Sequence, residues 1–541
     1  MLTMTEPLVS SLWPRDESVP LVDHTVGSLL AERAVTHADA TALAGVAHGG
    51  GAERRLTYGQ LYTEARRVAA ALLRLAEPGE FVALWAPNVV EWPIVQYGAA
   101  LAGVTLVALN PVLRPEELVH ALNHSGAVAL LHADVSRDYD LAAVAAAVRP
   151  RCPGLRHVVS LAEHDRWNAE PRDLPDAAVQ DPGAPVMLQY TSGTTGLPKG
   201  VLLTHRSLVN VARLNLETVQ AEPEAVHVSP LPMFHTAGCV VATLGTLWLG
   251  GCLVLVERFR PGPVLEVMRE ERASVLFCVP AMLSALNETA RETGGPAPAL
   301  RKVLVGGANV PAPLIEATRE RFGARVHNLY GQTELGPTLT ATRVTDDDTD
   351  VRDTVGRPLP QVECKIVHPM TGQVQPLGTP GEICARGYQQ MIGYLNDPEA
   401  SARTVDAEGW VHTGDLGAMD ARGVITITGR LKDLIIRGGE NIAPAEIETC
   451  LLGHEAVLEA AVVALPDERW GEAVAAVVRL RGQVHDGLHD ALVEHCRGRL
   501  AKYKVPQHWY VADEMPVTPA GKVRKFKLRE AAAAGILRRL G

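Results

Sequence analysis

The run Tyr190-Thr191-Ser192-Gly193-Thr194-Thr195-Gly196-Leu197-Pro198-Lys199-Gly200 places hydroxyls, glycines and one lysine in a single predicted loop. Glycine lets a backbone turn tightly and approach a ligand closely. Exposed amide N–H groups, hydroxyls and an ammonium together make a cradle for phosphate oxygens. The loop is not a Walker A loop, because Lys199 follows Pro198 and precedes Gly200, so the spacing G-x-x-x-x-G-K-[ST] is absent. Its flank, Val186-Met187-Leu188-Gln189-Tyr190, reads as a strand running into the loop. A plain surface loop of small residues is the competing reading, and it does not explain this residue order behind a strand.

Six further segments carry residues of the same chemical kind. Pro232-Met233-Phe234-His235-Thr236-Ala237-Gly238 and Gly306-Gly307-Ala308 each follow an apolar run. Tyr330-Gly331-Gln332-Thr333-Glu334 and Thr413-Gly414-Asp415 come next. Gly429-Arg430-Leu431-Lys432-Asp433 leads into Arg437-Gly438-Gly439-Glu440-Asn441, and Pro519-Ala520-Gly521-Lys522 closes the set. Each alone is weak: an aspartate beside glycine is usually a turn former, and Lys522 alone reads as a solvated lysine in a basic tail. Taken in order, the set resembles the adenylate-forming enzymes: acyl-CoA synthetases, luciferases and the adenylation domains of peptide synthetases. The likeness runs from about Leu56 to Arg529 and is nearest to fatty or aryl acid–CoA ligases.

That resemblance implies a role for each motif. Thr191, Ser192, Gly193, Thr194, Thr195, Gly196 and Lys199 would hold the phosphates of ATP. Gly307 and Ala308 would leave room for adenine, and Tyr330, followed by Gly331 and Thr333, would stack on it. Asp415 would accept from the ribose hydroxyls, with Arg430 adding a donor. Glu334 would be repelled by a triphosphate unless Mg²⁺ sat between them, so it is expected to ligate the metal, with Thr191. Lys522 would stabilise charge on the carboxylate and the α-phosphate. Gly438 and Gly439 would leave room for the pantetheine arm of coenzyme A, with Lys432 at a hinge. His235 would border the acyl pocket. Amino-acid adenylation domains have an aspartate there to pair with the α-amine, and its absence disfavours an α-amino acid, since an unpaired buried ammonium is costly.

The elements that must position these residues follow from the rest of the chain. Its 541 residues exceed one ordinary core. The resemblance divides them into residues 1–430, binding ATP and acid, and 431–541, a small mobile α+β domain. Apolar runs such as Phe81 to Trp85, Val104 to Leu109, Ser274 to Val279 and Lys302 to Val305 alternate with helical patterns over Leu61 to Leu75 and Val90 to Ala102. This predicts an α/β class with βαβ-type sheets. From about Thr354 to Thr428 the spacing shortens to a β subdomain. Strands over Glu459 to Leu465 and Ala473 to Leu480 and a helix over Gly487 to Leu500 follow.

Bulk properties exclude several classes. A formal charge of −11 argues against nucleic acid or an anionic membrane as a general partner. The eight cysteines are scattered without a C-x-x-C pair, which favours a reducing cytoplasm over a zinc or disulfide framework. The N-terminal residues show no signal peptide. The uncharged stretch Thr236 to Val256 is long enough to span a bilayer. Gly250-Gly251 breaks it, so it reads as a buried helix, a turn and a core strand over Cys252 to Val256.

The expected reaction has two steps: a carboxylate and Mg-ATP give an acyl-adenylate and pyrophosphate, then a thiol, that of coenzyme A, releases AMP. A carrier protein, an amine or another nucleophile is the alternative acceptor. The apolar region Ala237 to Leu249 points to a medium-chain or aromatic acid. Asn309 and Cys278 depart from the residues usual in similar enzymes, and either would narrow the pocket or offer it a polar contact. No sequence feature decides whether the chain forms a homodimer.

Overall fold

The computed structural model describes residues 7–50, 53–170, 174, 181–191, 198–307, 310–437, 440–517 and 523–540. They form a mixed α/β fold of two compact units, as the alternating pattern predicts. One unit holds Pro14–Glu363 and Ala385–Val411; the other holds Cys364–Cys384 and His412–Gly541, with the strand Leu12–Trp13.

The first unit is built on two sheets. One has seven strands in the order Gly393–Tyr394, Lys199–Thr204, Pro185–Thr191, Thr105–Leu109, Phe81–Trp85, Ala129–His132 and His157–Ser160. The last five run parallel to one another. The other has nine strands, and Arg325–Tyr330, Lys302–Gly306, Val275–Cys278, Val226–Ser229, Cys252–Leu255 and Thr41–Val46 form its parallel centre. Parallel strands are covered on both faces, which is why they read as continuous apolar runs. Helix Glu91–Ala102 is buried at every position, consistent with its lack of a polar face. Its neighbour Tyr58–Leu72 is opened by a capping box between Thr57 and Gln60.

The stretch after His235 folds as expected in outline and differs in detail. Ala237–Ala242 is a π-helical segment that continues into the α-helix Thr243–Trp248, and Cys252–Leu255 is a core strand. The Thr243 hydroxyl and backbone N–H both donate to Gly238 O, five residues back. Buried Gln96 donates to Cys239 O at 2.8 Å, satisfying a carbonyl that the wider turn leaves over. Among the described residues no helix is long and apolar enough to cross a membrane.

The second unit contains a five-stranded sheet, ordered Leu12–Trp13, Val362–Val367, Gly381–Gly387, Val411–Met419 and Ile425–Arg430. The sheet lies in the stretch read as a β subdomain, but residues 364–384 and 412–430 cluster with the C-terminal part rather than with the rest of residues 1–430, and an N-terminal strand that the sequence pattern does not announce joins it. The C-terminal part is α+β. The hairpin Val457–Asp467 and Gly471–Leu480 is extended by His508–Val511 and flanked by helices Pro444–Leu452, Leu488–Arg497 and Lys525–Ala533. All eight cysteines are free thiols.

Candidate active site

Thr191 ends strand Pro185–Thr191, and Lys199 opens strand Lys199–Thr204. The two residues are cross-strand partners in an antiparallel pair, with Tyr190 opposite Gly200. The phosphate-loop residues Ser192, Gly193, Thr194, Thr195 and Gly196 lie between them, outside the described residues. Lys199 is therefore a strand residue rather than a loop residue. Pairing fixes its backbone, which a flexible loop would not do. Tyr190 braces the base: its hydroxyl donates to Ala121 O at 2.9 Å and lies 3.0 Å from His124 Nδ1. Burial pushes the Tyr190 pKa upward, so the phenol stays a donor.

Lys199 meets a residue that the motifs do not mark. Its ammonium lies 4.7 Å from the ring centroid of Tyr394, a cation–π contact. The Tyr394 hydroxyl in turn donates to Glu334 Oε1 at 2.8 Å. Burial first, and then the Glu334 carboxylate, raise the Tyr394 pKa, which keeps this hydroxyl protonated. Local structure holds Tyr394 in place. Gly393 and Tyr394 pair with Leu202 and Val201, and Leu395 N donates to Gly200 O at 2.8 Å. Tyr394 N donates to Ser401 Oγ at 2.8 Å in helix Pro398–Thr404, whose N-cap is Asp397. The sequence signal was faint: one aromatic residue between Gly393 and the helix start.

Glu334 sits in the 3₁₀ turn Thr333–Leu335, just past the end of strand Arg325–Tyr330. Met391 N donates to Glu334 O at 3.0 Å, so one segment, 391–395, joins this turn to the Lys199 strand. Gly331 is required sterically, since a Cβ there would lie 2.0 Å from Pro337 O. Strand Lys302–Gly306 lies beside Arg325–Tyr330, with Gly306 opposite Leu329. Gly307 follows one of two adjacent parallel strands and Tyr330 ends the other, at the carboxyl ends where α/β sheets bind ligands. Ala308 and Asn309 lie outside the described residues.

His235 follows strand Val226–Ser229 at the same end of the nine-stranded sheet. Ala237 N donates to His235 Nδ1 at 3.2 Å. A neutral imidazole that accepts at Nδ1 carries its proton on Nε2. Gly238 is packed too closely for any side chain, with a Cβ position 2.3 Å from Pro232 O. Cys278 ends strand Val275–Cys278 and is fully buried in an apolar cluster with Leu276, Val303 and Val305. Burial pushes its thiol pKa up, so it supplies volume rather than charge.

In the second unit, Asp415 and Arg430 are cross-strand partners, and Arg430 Nε lies 2.7 Å from Asp415 Oδ1. Asp415 is buried, while Arg430 is partly exposed. The turn before Asp415 is held from below: Gly414 N donates to Glu382 Oε1 at 3.1 Å and Thr413 Oγ1 to Ile383 O at 2.7 Å. Lys432 lies in the 3₁₀ turn Leu431–Asp433, where burial lowers its pKa, helped by the Arg430 charge. Gly438, Gly439 and Lys522 lie outside the described residues.

Comparisons with known proteins show the family. The profile of the AMP-binding enzyme family matches residues 30–395, and that of the AMP-binding enzyme C-terminal domain matches residues 446–522. A feruloyl-CoA synthase of an Amycolatopsis species is 38% identical, covering 93% of this chain and 98% of its own. The mitochondrial medium-chain acyl-CoA ligase ACSF2 of Bos taurus is 32% identical, covering 88% and 83%. The crystal structure of ATP-bound MatB from Rhodopseudomonas palustris superposes with a TM-score of 0.82 at 29% identity, covering 94% and 99%. With both family profiles matched in order and the motif residues seated at the strand ends where the fold binds ligands, the chain belongs to the AMP-binding enzyme family.

Proposed function

We propose that this enzyme activates a hydrophobic carboxylic acid, medium-chain or aromatic, and transfers it to coenzyme A. ATP-dependent conversion of an acid to its CoA thioester, with release of AMP, is the overall reaction. The observation that carries the ATP half is the linked set Thr191, Lys199, Tyr394 and Glu334. It brings a hydroxyl and a cation on paired backbone together with the carboxylate of a neighbouring 3₁₀ turn, all in one unit. The carboxylate and hydroxyl are hard oxygen donors suited to Mg²⁺, and the Glu334 carboxylate is oriented by the bond that Tyr394 donates to its Oε1. A bound Mg²⁺ supplies positive charge against the phosphate oxygens.

In the first step an oxygen of the acid attacks the α-phosphorus, and the bond to the bridging oxygen breaks to release pyrophosphate. Lys199 and the phosphate-loop hydroxyls hold the departing group, and Lys522 stabilises charge on the reacting oxygens. Asp415, steadied by Arg430, takes the ribose hydroxyls, and Tyr330 with Gly307 and Ala308 takes adenine. The His235 Nε2–H orients the carboxylate. In the second step the CoA sulfur attacks the acyl carbon and AMP leaves. This chemistry is mostly positioning and charge stabilisation, which needs no nucleophilic side chain.

The acid class rests on the segment after His235. Cys239, Val240, Val241 and Ala242 are buried and uncharged, and the chain has histidine, not aspartate, at position 235 where an α-amine would be paired. The feruloyl and medium-chain acids named for two relatives fit such a wall. The test is mass spectrometry of products from Mg-ATP and a panel of aliphatic and aryl acids, with and without coenzyme A. AMP with an acyl-CoA from a medium-chain or aryl acid is expected. An acyl-adenylate that accumulates and ignores coenzyme A would overturn the acceptor and point to a carrier protein or amine.

Residues 431–541 are assigned as the part that moves between the two steps, with Lys432 as hinge; the pantetheine arm then passes Gly438 and Gly439. Lys432→Pro restricts the hinge backbone. It is expected to slow thioester formation at least ~10-fold more than adenylation, by analogy with hinge variants in other moving domains. Equal loss in both half-reactions, measured separately, would remove Lys432 from that role.

A further inference from the structure

The second unit holds a cluster that the reaction does not use. Glu382 and Cys384 are two residues apart on strand Gly381–Gly387, so they share one face. His412 lies on the neighbouring strand Val411–Met419. Cys384 Sγ is 3.5 Å and Glu382 Oε2 is 2.8 Å from His412 Nδ1, and the three ligand atoms lie within 4.8 Å of one another. Glu382 is 7% exposed and Cys384 is sealed, whereas the His412 side chain is 32% exposed. The cluster therefore has two buried donors and an opening on the imidazole side.

The geometry points to a binding site for a soft to borderline divalent cation, of which Zn²⁺ is the type, formed by Glu382 Oε2, Cys384 Sγ and His412 Nδ1. With Zn–S of about 2.3 Å and Zn–N of about 2.0–2.1 Å, a tetrahedral ion sets sulfur and nitrogen about 3.5 Å apart. The observed Sγ–Nδ1 separation matches that spacing. The same bond lengths set nitrogen and oxygen about 3.4 Å apart, so the carboxylate needs to open by about half an ångström. Glu382 can do so without releasing the turn beside it, because Gly414 N is held by Oε1, the other oxygen. Binding displaces the imidazole proton and the thiol proton to solvent, and the fourth position is left to water on the exposed side. Without a metal the same side chains form a His412–Glu382 ion pair over a buried thiol, and the experiment separates the two.

Full-length protein freed of metal is titrated with Co²⁺ alone and then Zn²⁺ alone. One equivalent of Co²⁺ should produce a thiolate-to-metal charge-transfer band, and Zn²⁺ should abolish it. Cys384→Ser should remove the band and weaken Zn²⁺ binding by on the order of 100-fold or more, the upper range for disturbing a metal site. Cys384→Val, which suits a buried strand and cannot ligate, should do the same with the fold checked by its thermal midpoint. No band in the wild-type protein, or a band that survives in the folded Cys384→Val protein, would overturn the site.

Discussion

Lys522→Ala is expected to lower the adenylation rate by ~10²–10³-fold, the loss typical for removing one preorganised charge from a transition state. Thioester formation from supplied acyl-adenylate should stay near the wild-type rate. The asymmetry follows from what each step needs. Adenylation gathers negative charge on the carboxylate and the α-phosphate, and a flexible ammonium is suited to both. Thiol attack on the mixed anhydride releases AMP and makes no new bond to phosphorus. The described residues on either side of this segment are paired. Val517 and Val523 pair antiparallel, and Arg524 N donates to Pro516 O at 2.7 Å. Lys522→Arg retains the charge but not its compact shape, and should recover only part of the rate. The two half-reactions are read separately, by pyrophosphate release without coenzyme A and by acyl-CoA formation from supplied adenylate. Adenylation by Lys522→Ala at close to the wild-type rate would remove this residue from the mechanism.

How far such a site can be read from sequence depends on which interactions define each part. The central strands Phe81–Trp85, Val275–Cys278 and Lys302–Gly306 are legible because burial on both faces leaves continuous apolar runs. The motif residues at their ends are legible because order and spacing persist along the chain. Short edge elements are not. Leu12–Trp13 pairs with Lys365 and Cys364, and Gly393–Tyr394 with Leu202 and Val201; a two-residue strand has no period to detect. The π-helical turn after His235 depends on how closely Gly238 approaches Pro232 O, a tertiary distance. For the same reason Glu382, Cys384 and His412 escape cysteine spacing rules: two strands bring them together, not one motif. Tyr394 escapes the motif reading because the role proposed for it exists only through its partners, Lys199 on one side and Glu334 on the other.

Those partners make the second large effect separable. Glu334→Gln keeps the size of the side chain and removes its charge, and should reduce kcat by ~10²-fold or more, since a metal-held phosphate loses a charged ligand. Tyr394→Phe keeps the ring over Lys199 and deletes the hydroxyl that donates to Glu334 Oε1. A hydrogen bond to a charged group contributes about 1.5–3 kcal/mol, so the Mg²⁺ concentration for half-maximal rate should rise roughly 10-fold or more. Tyr394→Leu also removes the ring, with a further loss of about 0.5–1 kcal/mol at the Lys199 contact that should appear in the KM for ATP. The combination Glu334→Gln with Tyr394→Phe decides whether the tyrosine acts through the carboxylate. If it does, removing the hydroxyl from the Glu334→Gln enzyme changes its rate little, because the charged acceptor is already gone. If the two effects multiply in full, Tyr394 acts on the phosphates by another route, and the link from Lys199 to Glu334 is only a packing contact.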